Sequence, residues 1–226
     1  MALLYRWTFD TDGTDAQGNY DINEVGSPSY AAGKIGNAAT TDASNYFTNN
    51  LSTPAALNTP PFTWSCWVYP TATNGTDPTF IWVNCGSTGA LHYELGLAPT
   101  TREFAFRHRD AADSTNITVL TTETVSLNVW THLAVSVVVS GSTVTTKQYI
   151  NGVLVKTNAH TDGWFTGSAS RLQFGRQNSA NRVVGGKDDF RFYNTALSDG
   201  DVGDIFDAAN PPSGNRRRRI IIGAAA

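Results

Sequence analysis

The stretch PFTWSCWVYP constrains the fold more than any other part of the sequence. In an extended chain, alternate side chains point to opposite faces. One face of this stretch carries four apolar side chains: Phe62, Trp64, Cys66 and Val68. The other face also carries bulk, including Trp67 and Tyr69. A strand with bulky side chains on both faces is typical of the centre of a sandwich of two sheets.

Further strand-like runs follow one another between turn-forming residues. In TVTTKQYINGVLVKT, Asn151-Gly152 separates two such runs, and this dipeptide is the strongest short-range signal for a tight hairpin. Charged residues make up only 15% of the chain, whereas Thr, Ser, Asn and Gly are abundant. We therefore predict an all-β fold, with antiparallel strands over most of residues 3–193.

One segment, ALSDGDVGDIFDAAN, has helical periodicity instead. Its apolar residues Val202, Ile205 and Phe206 recur at helical spacing. Ser198, with Asp201 three residues later, resembles a capping box, and Pro211-Pro212 ends the pattern. The sequence predicts one short helix near residues 198–208, a domain over residues 1–210, and a separate tail over residues 211–226.

The sequence also bears on the cellular compartment and on the redox state of the cysteines. The first ten residues lack the basic start and apolar run of a secretory signal, so we expect assembly in a reducing cytoplasm. The two cysteines, Cys66 and Cys85, are therefore expected to be buried thiols, with a single inter-strand bridge as the alternative. No apolar stretch is long enough for a membrane span.

Several motifs, in order, give the chain a family resemblance. They are YRWTFD, AQGNYD, GKIGNAAT, PFTWSCWVYP, WTHLAVSV, YINGVLV, LQFGR and KDDFRFYNTALSDGDVGDIFD. Together they resemble the laminin-G-like branch of the concanavalin A-like lectin/glucanase superfamily. The resemblance implies a jelly roll of two antiparallel sheets, with glycans often bound on one concave sheet or at its rim.

Because this superfamily includes glucanases, catalysis has to be considered. The family-16 type carries a Glu-x-Asp-x-x-Glu strand, and retaining hydrolysis needs two carboxyl groups about 5–5.5 Å apart. The sequence has no such stretch, and Glu94 and Glu103 stand alone in predicted strands. The segment EFAFRHRD places four residues on one face, which is interpreted as a solvated surface: Glu103, Ala105, Arg107 and Arg109. We expect no enzymatic activity.

An aspartate-rich loop offers a candidate metal site. In FDTDGTDAQGNYD, three aspartates lie close together: Asp10, Asp12 and Asp15. Oxygen ligands at this density suit calcium, and the resemblance adds Asp188 of the last strand as a fourth ligand. The alternative is that the cluster forms Asx turns and caps without any ion.

Glycan binding requires an exposed aromatic platform beside planar polar side chains. Three segments have that composition: GTDPTFIWVN, TDGWFTG and GRQNSANR. From them we select four candidate residues, Trp82, Trp164, Asn178 and Arg182. The alternative for each tryptophan is a place in the core.

The tail differs from the rest of the chain. It contains four consecutive arginines, Arg216, Arg217, Arg218 and Arg219, followed by three isoleucines, Ile220, Ile221 and Ile222. Arginines pair with acidic surfaces, and an isoleucine run can add a strand to a partner's sheet. We expect this tail to anchor the domain to a neighbouring subunit of a larger or homo-oligomeric assembly. Nucleic acid is a less favoured partner, and no membrane partner is expected.

These features lead to one functional hypothesis with two alternatives. The leading hypothesis is a non-enzymatic structural protein of a virion, decorating a bacteriophage capsid or tail and presenting a glycan-binding domain. The virion would be assembled in the host cytoplasm. The first alternative is a carbohydrate-binding module of a bacterial surface or secreted protein, which would place it outside the cell or at its surface. The second is a divergent glucanase.

Overall fold

Two antiparallel sheets stacked face to face form the body of the protein. The computed structural model describes residues 2–49, 53–85, 90–167 and 169–210. In chain order the strands are β1 (Leu3–Trp7), β2 (Asn23–Val25), β3 (Ser29–Ala32), β4 (Asn37–Thr41), β5 (Tyr46–Asn49), β6 (Phe62–Asn74), β7 (Thr79–Cys85), β8 (Ala90–Leu97), β9 (Glu103–Arg109), β10 (Asn116–Thr124), β11 (Thr131–Ser140), β12 (Thr143–Ile150), β13 (Val153–His160), β14 (Ala169–Phe174) and β15 (Arg182–Tyr193). A 3-10 turn covers Ala55–Asn58, and one α-helix, α1, covers Asp199–Ala209.

Over the described ranges, one sheet contains eight strands and the other seven. The eight-stranded sheet has the order β13-β12-β11-β6-β15-β4-β3, with β1 also paired to β15. The seven-stranded sheet has the order β10-β9-β8-β7-β14-β5-β2. Neighbours such as β6 and β15 are far apart in sequence, as the crossing connections of a jelly roll require. The predicted all-β jelly-roll sandwich with one short C-terminal helix is confirmed.

The space between the sheets is filled mainly by aromatic side chains. The predicted inward face of β6, which includes Phe62, Trp64 and Cys66, is fully buried. The Trp64 ring lies 4.9 Å from Phe192 and 6.0 Å from Trp7, and its indole N–H donates to the Tyr93 hydroxyl at 3.0 Å. Cys66 is a free buried thiol, as expected, whereas the side chain of Cys85 lies outside the described part of the structure.

The predicted hairpin and helix both form, and they contact each other. Asn151 and Gly152 have φ values of 52° and 78°, the left-handed conformations that a two-residue turn between β12 and β13 requires. A Cβ at Gly152 would lie 2.9 Å from the Cβ of Phe206. Helix α1 begins with the capping box of Ser198 and Asp201.

The helix covers part of the outer face of the eight-stranded sheet. A second, smaller apolar cluster includes Val202 and Ile205 of α1 together with Ala134 and Tyr149 of the sheet. Within the described residues, no helix is both long enough and apolar enough to cross a bilayer. Residues 211–226, which include the arginine and isoleucine runs, lie outside the described part of the chain.

Candidate functional site

A row of side chains crosses the seven-stranded sheet on the face that points away from the core. Cross-strand pairing places its members side by side on five adjacent strands: Thr48 of β5, Gln173 of β14, Trp82 of β7, Glu94 of β8 and Arg107 of β9. The residues that alternate with them point into the core. Side-chain alternation therefore directs a tryptophan and a series of polar groups to the outer surface.

These outward-facing side chains are nevertheless buried. Trp82 and Gln173 are each 4% exposed, Glu94 is 1% exposed, and none belongs to the two apolar clusters. Within the described residues, the Trp82 indole nitrogen, Gln173 Oε1 and Asn84 Oδ1 have no hydrogen-bond partner. A buried polar group without a partner costs about 1–3 kcal/mol. The row thus carries hydrogen-bonding capacity that the described chain leaves unused.

Arg107 brings two carboxyl groups together at one end of the row. Its Nη1 donates to Glu94 Oε1 at 2.7 Å, and its Nε lies 3.2 Å from Asp77 Oδ1. Thr79 Oγ1 lies 2.7 Å from the Asp77 carbonyl oxygen and 3.0 Å from Glu94 Oε2. Because a hydroxyl has one hydrogen, a Thr79 that donates to the carbonyl can bond Glu94 only if that carboxyl is protonated.

The environment of Glu94 favours its protonated form. Burial, which penalises the charged form, raises the pKa of Glu94 to about 7 despite the neighbouring Arg107. The charge of Asp77 acts in the same direction. The sequence interpretation of this face as a solvated surface was wrong, because Arg107 is 6% exposed and Ala105 is fully buried.

Arg171 lies beside the row, on the same outer face. It is the cross-strand partner of Asn84, and its guanidinium carbon is 6.0 Å from the centroid of the Trp82 ring. The site therefore combines one tryptophan, two arginines, two amides and two carboxyl groups. Such a mixture can hydrogen-bond hydroxyl groups while covering an apolar surface.

The other three predicted glycan residues lie elsewhere. Trp164 is 6% exposed and belongs to the core cluster. Asn178 and Arg182 shape the turn between β14 and β15: Asn178 Oδ1 accepts from the backbone of Ala180 and Asn181, and Arg182 donates to backbone oxygens of that turn. The structure thus places Trp82 alone of the four on the row.

Trp164 borders a pocket at one end of the sandwich. The pocket has a volume of about 650 Å³ and is also lined by Asn58, Ser142 and Asp162. Behind the indole, His108 Nε2 lies 3.0 Å from His160 Nε2. The pKa of His108 is lowered to about 4, chiefly because it is buried.

The eight-stranded sheet carries a partly exposed aromatic pair on its own outer face. The rings of Tyr69 and Trp130 are 5.5 Å apart. They border a groove of about 360 Å³ that has small residues such as Ala38 and Gly186 on its other walls. Since this groove lies on the opposite sheet, Trp130 provides a control for experiments on Trp82.

Two of the predicted metal ligands are engaged in the loop itself. Asp15 is buried and accepts hydrogen bonds from four backbone N–H groups, those of Arg6, Gln17, Asn19 and Tyr20. Asp12 accepts from the backbone of Thr14 in an Asx turn. These bonds account for both oxygens of Asp15 without an ion.

The other two predicted ligands face a common loop. Asp10 Oδ1 accepts from the Asn37 amide at 2.7 Å, and Asp188 Oδ2 accepts from the amides of Lys34 and Ile35. Burial, together with the charges of Asp189 and Asp10, raises the pKa of Asp188 to about 7. The buried Asp188 Oδ1 has no partner within the described residues.

This unpartnered oxygen fits a cation, but the surrounding donor set is small. Within the described part of the chain, no group of three or more His, Cys, Asp or Glu side chains is arranged to hold a metal ion. Asp10 and Asp188 are the residues that could still contribute ligands. Calcium binding therefore stays a prediction.

Sequence reasoning overlooked most of this outer face. It did not select Asp77, Arg107, Arg171 or Gln173. A signal existed for two of them, since RLQF alternates Arg171 and Gln173 with the buried Leu172 and Phe174. Asp77 has no such signal, because it precedes β7 and reaches Arg107 through the fold.

The two-sheet sandwich defines a lectin-like β domain, and comparison with known families agrees. Residues 40–203 match a laminin-G-type family model described as "Concanavalin A-like lectin/glucanases superfamily". The chain belongs to this family, as its motifs indicated. A comparison with curated proteins gives no match.

Solved structures share the fold at low sequence identity. Domain 4 of AbnA, a GH43 extracellular arabinanase from Geobacillus stearothermophilus solved in complex with arabinotriose, is 24% identical with a TM-score of 0.70; the match covers 90% of this chain and 97% of that one. The binding domain of botulinum neurotoxin serotype D is 14% identical with a TM-score of 0.69. That match covers 91% of this chain and 51% of the toxin domain, so the chain spans about half of its length.

Proposed function

We propose that this protein is a carbohydrate-binding domain whose sugar site is the outer face of the seven-stranded sheet. The observation that carries the proposal is the set of buried, unpartnered polar atoms around Trp82, namely its own indole nitrogen, Gln173 Oε1 and Asn84 Oδ1. Sugars present many hydroxyl groups, each of which can donate and accept. We propose that a sugar supplies the missing partners once neighbouring side chains shift to expose these covered atoms.

The composition of the face supports the same ligand class. Binding sites for small molecules are mostly apolar, with a few polar groups that fix orientation. Trp82 supplies apolar surface and one donor, while Gln173 and Asn84 supply planar amides. The arabinotriose complex of the structurally similar arabinanase domain supports an oligosaccharide as the ligand.

We propose that binding occurs without hydrolysis. A glycosidase needs one carboxyl group as acid and a second as nucleophile or base. Here both oxygens of Glu94 are engaged, Oε1 by Arg107 and Oε2 by Thr79. These contacts support a structural role for the carboxyl group.

One observation favours glycoside hydrolysis as a second candidate. Asp77 and Glu94 both approach Arg107, and a carboxyl group with a pKa of about 7 lies in the range of a general acid. Release of reducing sugars from a glucan panel, abolished by Glu94→Gln, would establish this activity. We expect no release.

The proposed biological setting remains a virion, with the domain displayed on a bacteriophage capsid or tail. This part of the proposal rests on the arginine and isoleucine runs, which lie outside the described residues. A carbohydrate-binding module of a bacterial surface or secreted protein is the alternative setting. Co-purification with intact particles at a fixed copy number would support the virion.

Titration calorimetry with a panel of oligosaccharides tests the binding site. We expect Gln173→Leu, which keeps the side-chain size but removes the amide, to weaken binding roughly tenfold, because about 1.4 kcal/mol corresponds to one hydrogen bond. Trp82→Phe should also weaken it, and Trp130→Ala on the opposite sheet should leave it unchanged. Loss of binding in Trp130→Ala alone would place the site on the other sheet.

A further inference from the structure

We propose that the ligand is an acidic oligosaccharide and that a sugar carboxylate pairs with Arg171. This inference rests on the proposed function, because it concerns the same face of the seven-stranded sheet. It names the chemical class of the ligand and the residue that selects it.

Arg171 differs from every other arginine in the described part of the chain. Arg6, Arg107, Arg109 and Arg191 each pair with a carboxylate. The remaining ones donate to backbone oxygens: Arg102, Arg176 and Arg182. Within the described residues, the Arg171 side chain has neither an ion pair nor a hydrogen bond, and its guanidinium carbon lies 6.0 Å from the centroid of the Trp82 ring.

This cation, which has no protein partner among the described residues, is half-buried at the edge of the candidate site. A guanidinium group presents five donors, and carboxylates accept two of them in parallel. The side chain projects from β14 beside Asn84, next to the Trp82 ring. A ligand at the row would therefore meet an arginine whose donors are all available.

The local charge balance favours an anion at this position. Arg107 is offset by Asp77 and Glu94, and protonation of Glu94 would remove one of those negative charges. Arg171 has no such counter-charge on the described surface. The whole chain has a net charge of −3, so its overall charge does not attract anions. An anion would therefore be held by direct pairing with Arg171.

The neighbouring atoms specify what else the ligand carries. Gln173 Oε1 and Asn84 Oδ1 lack donors, and the Trp82 indole N–H lacks an acceptor. Once side-chain movement exposes these covered atoms, hydroxyl groups of the same sugar can serve all three. The ligand class that fits is a uronate-containing oligosaccharide, with its carboxylate toward Arg171 and its hydroxyls toward the row.

Matched pairs of probes test this assignment on the full chain. The pairs are oligomers of glucuronate and glucose, galacturonate and galactose, and mannuronate and mannose, titrated at low salt and at 0.5 M salt. We expect at least one acidic member to bind tenfold or more tightly than its neutral counterpart. Arg171→Gln should remove that preference and its salt dependence, while Arg176→Gln should retain both.

Each other outcome overturns the inference. Equal binding of both members of every pair, or an acidic preference retained in Arg171→Gln, would show that Arg171 selects nothing. Preference for a sulfated oligosaccharide over every uronate would assign a different anion to the site. If neutral sugars bind in a manner sensitive to Gln173→Leu but no acid is preferred, the proposed function stands and this inference fails. If no sugar binds, both fail.

Discussion

Glu94 Oε1 accepts a hydrogen bond from Arg107 Nη1 at 2.7 Å, and both side chains are buried on the face of the sheet that points away from the core. Charged groups in such a place are stabilised only by their partners. Removing one partner leaves the other uncompensated. The pair therefore contributes to the candidate site and to stability at the same time.

The pH dependence of stability should reveal Glu94. Its folded-state pKa of about 7 lies above the usual 4.5, so the folded state binds more protons than the unfolded state between these values. The stabilisation that Glu94 provides is present at low pH. As the pH rises from 4.5 toward 7, the free energy of unfolding falls by up to about 1.4 kcal/mol per pH unit. Denaturant unfolding at several pH values should show this slope reduced in Glu94→Gln. The control Glu103→Gln, on the neighbouring strand, should keep the wild-type slope.

A buried lysine should produce the opposite slope at higher pH. Lys187 is fully buried, its ammonium group donates to the carbonyls of Val183 and Gly185, and burial lowers its pKa from 10.5 to about 7. The folded state therefore binds fewer protons between pH 7 and 10.5, so stability rises with pH across this window. We expect Lys187→Met to flatten that rise in chemical denaturation. If Lys156→Met flattens it equally, the effect does not come from burial.

The Asp15 loop should unfold more easily when its acceptors are lost. Asp15→Asn replaces one carboxylate oxygen by a donor, which leaves backbone N–H groups among those of Arg6, Gln17, Asn19 and Tyr20 without an acceptor. We expect a loss of about 1–3 kcal/mol in the free energy of unfolding. Asp12→Asn, whose carboxylate receives one exposed backbone bond, should lose much less. Equal losses would contradict this assignment.

Calcium should stabilise the fold if it binds between Asp10 and Asp188. A ligand that binds only the native state adds about 2.7 kcal/mol at a hundredfold excess over its dissociation constant. Melting curves with chelator and then with added calcium measure the shift. We expect it to vanish in Asp188→Asn and to persist in Asp12→Asn. No shift in the wild-type protein would contradict calcium binding at this position. Asp188 Oδ1 would then be a buried oxygen without a partner among the described residues.

Truncation after Asn210 tests the separate role of residues 211–226. Helix α1 ends at Ala209 and its apolar residues already pack on the eight-stranded sheet, so the melting temperature should remain nearly unchanged. If the proposed virion role holds, attachment to the particle, measured by co-sedimentation, should be lost. Replacing Arg216–Arg219 with serine should weaken attachment and its salt dependence. Unfolding of the truncated chain would instead make the tail part of the domain's own core.

Side-chain periodicity alone determined the class of fold. Alternation from Phe62 to Val68 specified a strand buried on both faces, and Asn151-Gly152 specified a hairpin, because both patterns are properties of the local backbone. The capping residues Ser198 and Asp201 fixed the start of the helix for the same reason. Each of these features depends on residues that are close together in the chain.

Tertiary structure alone decided where the candidate site lies. Trp82, Glu94, Arg107 and Gln173 become neighbours only because β14, β7, β8 and β9 are adjacent in the sheet. The sequence left Glu94 as an isolated carboxylate and offered Asp15 either as a calcium ligand or as a turn-forming residue. The structure places Arg107 against the first and four backbone amides around the second. Local pattern records the direction of each side chain, but its partners depend on how strands pair and loops close. Arg107 reaches Glu94 from the next strand, whereas Gln173 reaches Trp82 from β14, far along the chain.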